Sequence, residues 1–182
     1  MTVRSLLTGF ARDRDGASAV EFALLVPILC LIFAVMVDFG FLLFTRFNLN
    51  ENVSSATNYA LVQADNVSAA GGGDLAEKVA SIIPVTANVT AVINNGRQVV
   101  RTAGVSVISG TASEADKCYC PSLSGSTVTW GTGKTCGSAC TGGGVAGKFV
   151  LIRASQPHSP MLGWTGVTQP EQLQVSSLVQ VK

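Results

Sequence analysis

Charged side chains are scarce in this chain of 182 residues, because they make up 13% of it against about a quarter in an ordinary soluble domain. The mean hydropathy of +0.41 likewise argues against a freely soluble globule and indicates an apolar segment at membrane depth. The formal net charge of +1 lacks the basic excess that a nucleic-acid-binding protein needs. A single histidine excludes a multi-histidine metal site and argues against histidine-based catalysis.

The one long apolar run lies near the N-terminus. Residues 22–37 contain no charge, and the run continues past Asp38 to Thr45. As an α-helix, residues 22–45 would be about 36 Å long, enough to cross a hydrocarbon core of about 30 Å. A cleaved secretory signal peptide is the alternative, but the run is too long for one and no small-x-small cleavage site follows it. The sequence therefore predicts one retained membrane span, residues 17–45.

Positive charges around this span predict its orientation. Arg4, Arg12 and Arg14 precede it, whereas Arg46 alone follows it closely. Because positively charged flanks stay in the cytoplasm, we expect residues 1–16 to be cytoplasmic. The chain after the span would then lie on the periplasmic side.

A glycine stands directly before the apolar run, and a lone glutamate follows five residues later. The stretch GASAVEF contains Gly16, Ala17, Glu21 and Phe22. It has the substrate pattern of prepilin-type cleavage, in which a peptidase cuts after the glycine, whose backbone is accessible. A carboxyl group at the head of a lipid-embedded helix costs about 2–3 kcal/mol near mid-bilayer and less near the interface, so Glu21 is a functional candidate. The alternative is that Glu21 reaches the headgroup layer and Gly16 merely ends a tail.

The stretch from Gly16 to Pro27, GASAVEFALLVP, closely resembles the N-terminal motif of TadE-like proteins, the pseudopilins or minor pilins of the tight-adherence (Tad, or Flp) pilus. Glu21-Phe22 is similar to the pseudopilin form, whereas the major Flp pilins carry Glu-Tyr there. Downstream, Asp38-Phe39-Gly40 and the region from Arg46 to Ala60 resemble the end of that family's span and its juxtamembrane helix. The resemblance covers about a quarter of the chain.

This resemblance implies a structural protein of the bacterial inner membrane and not an enzyme. It implies cleavage after Gly16 by a prepilin peptidase and assembly with other Tad pilins and pilus assembly proteins. The new Ala17 ammonium would then neutralise Glu21 of a neighbouring subunit and set the axial register of a filament. The alternative function is a signal-anchored periplasmic binding or adhesin module that never enters a filament.

Two more residues of the span, Pro27 and Asp38, are unusual in an apolar helix. Pro27 removes a backbone hydrogen bond and crowds the carbonyl of Ala23, so we expect a kink or a local opening of the helix. Such flexibility would help a subunit leave the bilayer. The alternative is that the span tolerates Pro27 without any functional effect. Asp38 lies about 26 Å beyond Glu21 along a helix. We therefore expect Asp38 to be solvated at the opposite interface.

The helical period continues beyond the span. Leu49, Val53, Ala56 and Ala60 recur at three- and four-residue steps, which predicts one helix from about residue 17 to about residue 67. Residues 46–70 would form its periplasmic extension, ended by three glycines. Asp74 is then a candidate N-cap for a short helix that Pro84 stops.

From residue 84 onwards the period changes to two. Five segments have strand character, and Asn94-Asn95-Gly96 suits a tight hairpin turn between the first two. The segments are residues 89–93, 98–101, 105–108, 149–154 and 173–181. The predicted fold class is α+β: a single transmembrane helix extending into a long pilin-like helix, then a small antiparallel β domain within residues 71–182.

Four cysteines lie in the glycine-rich stretch between residues 109 and 147, which has no periodicity and is predicted to be a long loop. Cys118 and Cys120 form a C-x-C, and Cys136 and Cys140 a C-x-x-x-C. In an oxidising compartment this predicts two disulfides between the two pairs, nested or crossed. A zinc site is the alternative, although C-x-C is too tightly spaced for paired zinc ligands. Cys30, within the span, is expected to be a small buried apolar residue.

The remaining residues do not indicate a catalytic or ligand-binding site. His158 lies in a proline-flanked loop without a partner at a recognisable spacing, so we expect a surface side chain. We expect no catalytic site, no cofactor, no metal and no nucleic-acid partner.

Overall fold

The computed structural model describes residues 17–125, 127–158 and 172–182. Two helices precede the strands: α1 spans Ala17–Val62 and α2 spans Gly72–Ile82, with 3₁₀ turns at Ala64–Asn66 and Ala112–Asp116. The strands are β1 Asn88–Ile93, β2 Gln98–Thr102, β3 Val105–Ser109, β4 Ser122–Ser124, β5 Thr127–Thr129, β6 Phe149–Pro157 and β7 Gln172–Gln180. The α+β class is confirmed. The predicted segment 1–16 lies outside the described residues.

Helix α1 is a single helix of 46 residues with Pro27 inside it. The sequence predicted its end near residue 67, but it ends at Val62. Gln63 accepts hydrogen bonds at its backbone carbonyl from the Asn66 amide (2.9 Å) and at its side-chain oxygen from the Asn66 side chain (2.6 Å). These local bonds tighten the chain into the 3₁₀ turn at Ala64–Asn66, because polar side chains next to the backbone compete with helical bonding.

The predicted N-cap of the second helix is wrong. Helix α2 begins at Gly72, with Gly71 as its cap, and Asp74 lies inside the first turn. The hydroxyl of Ser68 accepts a hydrogen bond from the Gly71 amide at 3.1 Å, and a Cβ on Gly71 would lie 2.9 Å from the Asn66 carbonyl oxygen. The glycines therefore let the chain approach the end of α1 closely and start α2 earlier than predicted.

All five predicted strands are present in one antiparallel sheet of order β3-β2-β1-β6-β7. The turn between β1 and β2 places Asn94 at φ 49° and Asn95 at φ 58°, the left-handed region that asparagine tolerates and tight hairpins require. Opposite residues share a face, so registers define rows across the sheet. One row contains Val107, Val100, Thr90, Arg153 and Ser176.

Both helices lie on one face of this sheet, with α1 on β6 and β7 and α2 on β1 and β2. The helical stripe predicted from residue 49 onwards supplies half of the interface, since Leu49, Val53, Ala56 and Ala60 are each at most 2% exposed. The sheet contributes small and β-branched residues such as Ala91 and Ile152, both fully buried. Alanines on α1 allow the helix to approach the sheet closely, which fixes the outer domain along the second half of α1.

The cysteine-rich segment is more structured than the predicted loop, since it contains the second 3₁₀ turn and the hairpin β4–β5. Disulfides join Cys118 to Cys136 and Cys120 to Cys140. The predicted disulfide-bonded loop is thus confirmed, and the pairing is crossed. All four sulfurs are bonded in pairs, so they offer no thiolates for the zinc alternative.

Asn94 holds this cystine-bonded segment against the sheet. Its side chain is fully buried, donates to the carbonyl oxygens of Ala115 (3.0 Å) and Lys117 (2.6 Å), and accepts from the Phe149 amide (3.1 Å). One amide side chain thereby satisfies three backbone groups from two distant segments. The hairpin turn and the start of the cystine-bonded segment form one unit.

Candidate functional site

The first half of α1 presents apolar side chains on all sides. Phe22, Leu24 and Phe33 are 56–71% exposed. The most apolar 18-residue window of the helix has a mean hydropathy of 2.8, and none of its residues is buried within the protein. Among the described residues this is the one helix long and apolar enough to cross a membrane. An exposed apolar helix of this length has its proper surroundings in lipid. We conclude that the protein is membrane-anchored through a single span.

Glu21 lies on the outer surface of this helix, one turn from its start. Ala17 is the first residue of α1, so the Glu21 backbone lies about 6 Å further along the axis. Glu21 and Phe22 are both exposed, and Glu21 forms no ion pair within the described part of the chain. The carboxyl group at the head of the span is therefore without an ion-pair partner in residues 17–125, 127–158 and 172–182. Gly16, the predicted cleavage position, lies outside the described residues.

Pro27 does not interrupt α1, which is helical on both sides of it. Cys30 is a free cysteine and is exposed on α1, whereas the sequence led us to expect a buried residue. No residue of α1 between Ser18 and Val37 is buried.

Asp38 is the first residue of α1 that the outer domain covers, which corrects the expectation of a solvated side chain. It is 6% exposed, and its Oδ1 lies 3.7 Å from Nε2 of His158. His158 follows the end of β6, and its side chain is 11% exposed, so the expectation of a surface histidine is wrong as well. Asp38, Leu42, Leu49 and Val53 recur on one face of α1, a signal that could have placed Asp38 in the interface.

Two lysines hold the far end of α1 to the sheet. The ammonium of Lys148 donates to the Val67 carbonyl oxygen at 2.7 Å, and Lys182 pairs with Asp65 at 2.7 Å. The hydrogen bond from Lys182, together with its positive charge, lowers the pKa of Asp65. These contacts join the turn after α1 to the start of β6 and to the C-terminal residue.

Arg101 holds the C-terminal end of α2 to strand β2. Its guanidinium is 5% exposed and donates to the carbonyl oxygens of Ala80 (2.9 Å), Ile83 (2.7 Å) and Pro84 (2.8 Å). A cation at a helix C-terminus satisfies carbonyls that lack helical partners and faces the negative end of the helix dipole. Sequence patterns did not indicate Arg101, because its partners lie about twenty residues away in the chain.

The structure therefore contains a continuous helix that is apolar and exposed in its first half and packs one face against an α+β domain in its second half. Residues 16–57 match the family model of TadE-like proteins. The match confirms the resemblance drawn from the sequence, and we call these residues the TadE-like segment. It comprises 42 of the 182 residues and ends within the stripe of α1 that packs on the sheet.

The remainder of the chain, including the β domain and its two disulfides, lies outside the TadE-like segment. No curated protein matches the chain, and no solved structure matches it. Among the described residues there is no group of three or more His, Cys, Asp or Glu side chains that could hold a metal ion. The TadE-like segment is therefore the part of the molecule that indicates a function.

Proposed function

We propose that this protein is a structural pseudopilin or minor pilin of a Tad pilus, made as a precursor and cleaved after Gly16 by a prepilin peptidase. The observation that carries the proposal is the TadE-like segment itself, whose match begins at Gly16 and continues along an unbroken helix. Association with Tad pilus components and with the membrane follows from this family likeness. The finer role, including the peptidase as a partner, is our inference.

The position of Glu21 supports assembly through this helix. In the precursor, the carboxyl group lies at the edge of the span without an ion-pair partner among the described residues. Cleavage after Gly16 would create an ammonium on Ala17, which in a neighbouring copy shifted along the axis could reach Glu21. Pairing the two charges removes the cost of an isolated charge in an apolar filament core.

The two disulfides support the orientation of the span. Cys118–Cys136 and Cys120–Cys140 both lie in the domain after α1. Disulfides form and persist in oxidising compartments such as the periplasm. We therefore infer a cytoplasmic N-terminus and a periplasmic domain, in agreement with the excess of arginines before the span.

Processing is the first test. Co-expression with a Tad-type prepilin peptidase should shorten the chain after Gly16, leave Ala17 as the N-terminus and keep the product in the membrane fraction. Gly16→Leu should block cutting, because a bulky side chain crowds the backbone that the peptidase must reach. Gly40→Leu is the matched control, since a side chain there meets nothing within 4 Å, and it should be cut normally. N-terminal sequencing measures both variants.

Assembly is the second test. Glu21→Ala should insert into the membrane as well as the unmodified protein or better, but it should be recovered in pilus fractions at a much lower level. Glu51→Ala, which removes an exposed carboxylate from the outer half of α1, is the control and should assemble normally.

Two results of the N-terminal sequencing would contradict the proposal. An uncut N-terminus at Met1 would support the signal-anchored binding or adhesin module instead. A cut beyond residue 45 that releases the domain would refute both functions.

A further inference from the structure

The outer domain covers α1 before the apolar run of this helix ends. Asp38 is 6% exposed, and Leu42, one turn further along, packs against the buried core of the domain. Both residues precede Thr45, where the apolar run ends, and Arg46, the next charged residue after Asp38. Part of the domain therefore lies beside the membrane span and not wholly beyond it.

The length of the span places this overlap at lipid depth. The uncharged residues 22–37 form only about 24 Å of helix, whereas a hydrocarbon core is about 30 Å thick. A core that begins with this range ends about 6 Å beyond it, and the headgroup layer adds roughly 5–7 Å more. Phe44 and Phe47 are 63% and 66% exposed on α1, as is typical of aromatic side chains at a membrane interface. Lipid and the domain thus share about 14 Å of α1, from Asp38 to Phe47.

The strand directions show which end of the domain lies at this level. His158, whose side chain is 3.7 Å from Asp38, follows the end of β6, whereas the start of β6 contacts the turn after α1. Strand β6 therefore runs back along α1 towards the membrane. Antiparallel pairing places Asn88, the first residue of β1, opposite Ser155 near the end of β6. Neighbouring strands differ in direction by only about 20–25°, so the turn at residues 84–87, which enters β1, also faces the membrane.

This turn, between α2 and β1, has a composition suited to contact with lipid. Val85 is 69% exposed, and residues 79–96 contain no charged residue. The carbonyl of Pro84 accepts hydrogen bonds from the Ala87 amide (3.1 Å) and from Arg101 (2.8 Å). Because a lack of charge and hydrogen-bonded backbone groups both lower the cost of leaving water, the turn can lie at the boundary between headgroups and acyl chains.

The ionisable groups near this end of the domain are compatible with such a position. Asp38 and His158 face each other, with side chains 7% and 11% exposed. Arg101 is 5% exposed and donates to three carbonyl oxygens. Arg46 and Lys78 are exposed, but they lie further from the span, where long cationic side chains reach the headgroups. Among the described residues named here, none presents an unpaired charge to the acyl chains.

We propose that the membrane-facing end of the outer domain is immersed in the leaflet from which α1 emerges. The turn at residues 84–87 lies at the boundary between headgroups and acyl chains, so the lipid surface is a partner of the domain as well as of the span. One exposed valine would bind a membrane weakly, but the span holds the turn at this depth and the contact needs little affinity of its own. The proposal rests on the membrane anchoring of the proposed function and not on cleavage after Gly16.

Depth-dependent fluorescence quenching tests this contact. The full-length, uncleaved chain with Cys30→Ala is reconstituted into phosphatidylcholine vesicles, and Val85→Cys carries an environment-sensitive fluorophore. Val62→Cys is the matched control, because Val62 is 81% exposed and lies about 36 Å beyond Asp38 on α1. Lipid with a spin label near its headgroup should quench position 85 at least about threefold more than position 62. Water-soluble iodide should quench the two positions in the reverse order.

Two controls exclude trivial results. Leu25→Cys, at a position 62% exposed within the span, should be quenched by lipid that carries its spin label deep in the acyl chain. Mass mapping of the two native disulfides shows whether the domain is intact. Because an apolar fluorophore can itself enter lipid, a small nitroxide at Val85→Cys repeats the measurement through its collisions with oxygen and with a water-soluble nickel complex.

The lipid composition gives a further test. In an equal mixture of phosphatidylcholine and phosphatidylglycerol the order of quenching should stay the same, because the turn is uncharged. Quenching at position 85 that requires the anionic lipid would overturn the proposal.

The remaining outcomes separate this contact from the proposed function. Equal quenching at positions 85 and 62, with Leu25→Cys quenched in the bilayer, would overturn the immersion of the domain and leave the membrane anchor and the pilin function intact. A chain that the peptidase does not cut, but whose position 85 is quenched as expected, would refute the proposed processing alone. A lack of quenching at Leu25→Cys would refute the anchoring and the immersion together.

Discussion

Replacement of Arg101 by methionine tests whether the buried cation stabilises the domain. The side chain fills a site between β2 and the end of α2, where its guanidinium donates to three carbonyl oxygens. Burial also lowers the pKa of Arg101, which means that desolvation opposes the charged form. Two effects of opposite sign therefore compete at this position.

The carbonyl partners decide the balance. Methionine has a similar length and avoids the desolvation cost, and replacing a whole buried ion pair by apolar residues is often neutral or stabilising. Here, however, the partners are backbone groups that remain. Ile83 is 1% exposed, and its carbonyl is left without a donor among the described residues, which costs about 1–3 kcal/mol. The carbonyls of Ala80 and Pro84 keep amide donors, from Ile83 (3.3 Å) and Ala87 (3.1 Å). With up to about 1 kcal/mol from the helix C-terminus, we expect a net loss of about 2 kcal/mol.

Denaturant unfolding of the full-length protein in detergent micelles measures this loss as a shift of the midpoint at unchanged slope. In a thermal scan, Tm should fall by roughly 6 °C. Arg101→Lys keeps a charge that can reach some of the carbonyls and should lose about half as much free energy. Arg97→Met, which removes one long 3.4 Å bond on the surface, should change stability by less than about 0.5 kcal/mol. Equal or higher stability of Arg101→Met would refute the reasoning.

Three further predictions concern the cystine-bonded segment. Asn94→Ala should destabilise the domain by about 3 kcal/mol, measured by denaturant unfolding, because three backbone groups lose their partner; a change below about 0.5 kcal/mol would contradict it. Replacing Cys118 and Cys136 together by serine should cost about 3 kcal/mol in the same assay, and unchanged stability would show that the other disulfide suffices. The hydrogen bond from Lys117 holds the pKa of Glu114 below its ordinary 4.5, so Glu114 stabilises the folded state above that pH and loses this effect as the pH falls. The stability difference between the unmodified protein and Glu114→Gln should accordingly be largest near neutral pH and shrink below pH 4.5; a difference that grows in acid would contradict it.

The parts of the fold that were predictable are those set by neighbours in the sequence. The period of α1, the alternation in β1 and the Asn94-Asn95 turn are local, and each was predicted from spacing or from backbone preference. The end of α1 and the start of α2 were misplaced by a few residues, because Ser68 and Asn66 form local hydrogen bonds that no apolar pattern shows.

The candidate site divides in the same way. The exposed span and the position of Glu21 on it follow from the order of residues alone. The burial of Asp38 against His158 and the cap formed by Arg101 depend on segments that meet only in the folded chain. Disulfide pairing is a further case, since cysteine spacing predicted two bonds between the pairs but left nested and crossed connectivities open.

The outer domain contacts α1 from Asp38 onwards, so its orientation follows the orientation of the span. From Asp38 to Val62 the helix is bordered by the domain over about 36 Å, so the two move as one body instead of swinging on a hinge at the membrane surface. A tilt of about 20° in the bilayer, which is ordinary for a single span, would carry the far end of α1 sideways by about 12 Å. The thickness of the surrounding lipid, to which a span can adjust by tilting, would therefore influence where the sheet and its two edges point.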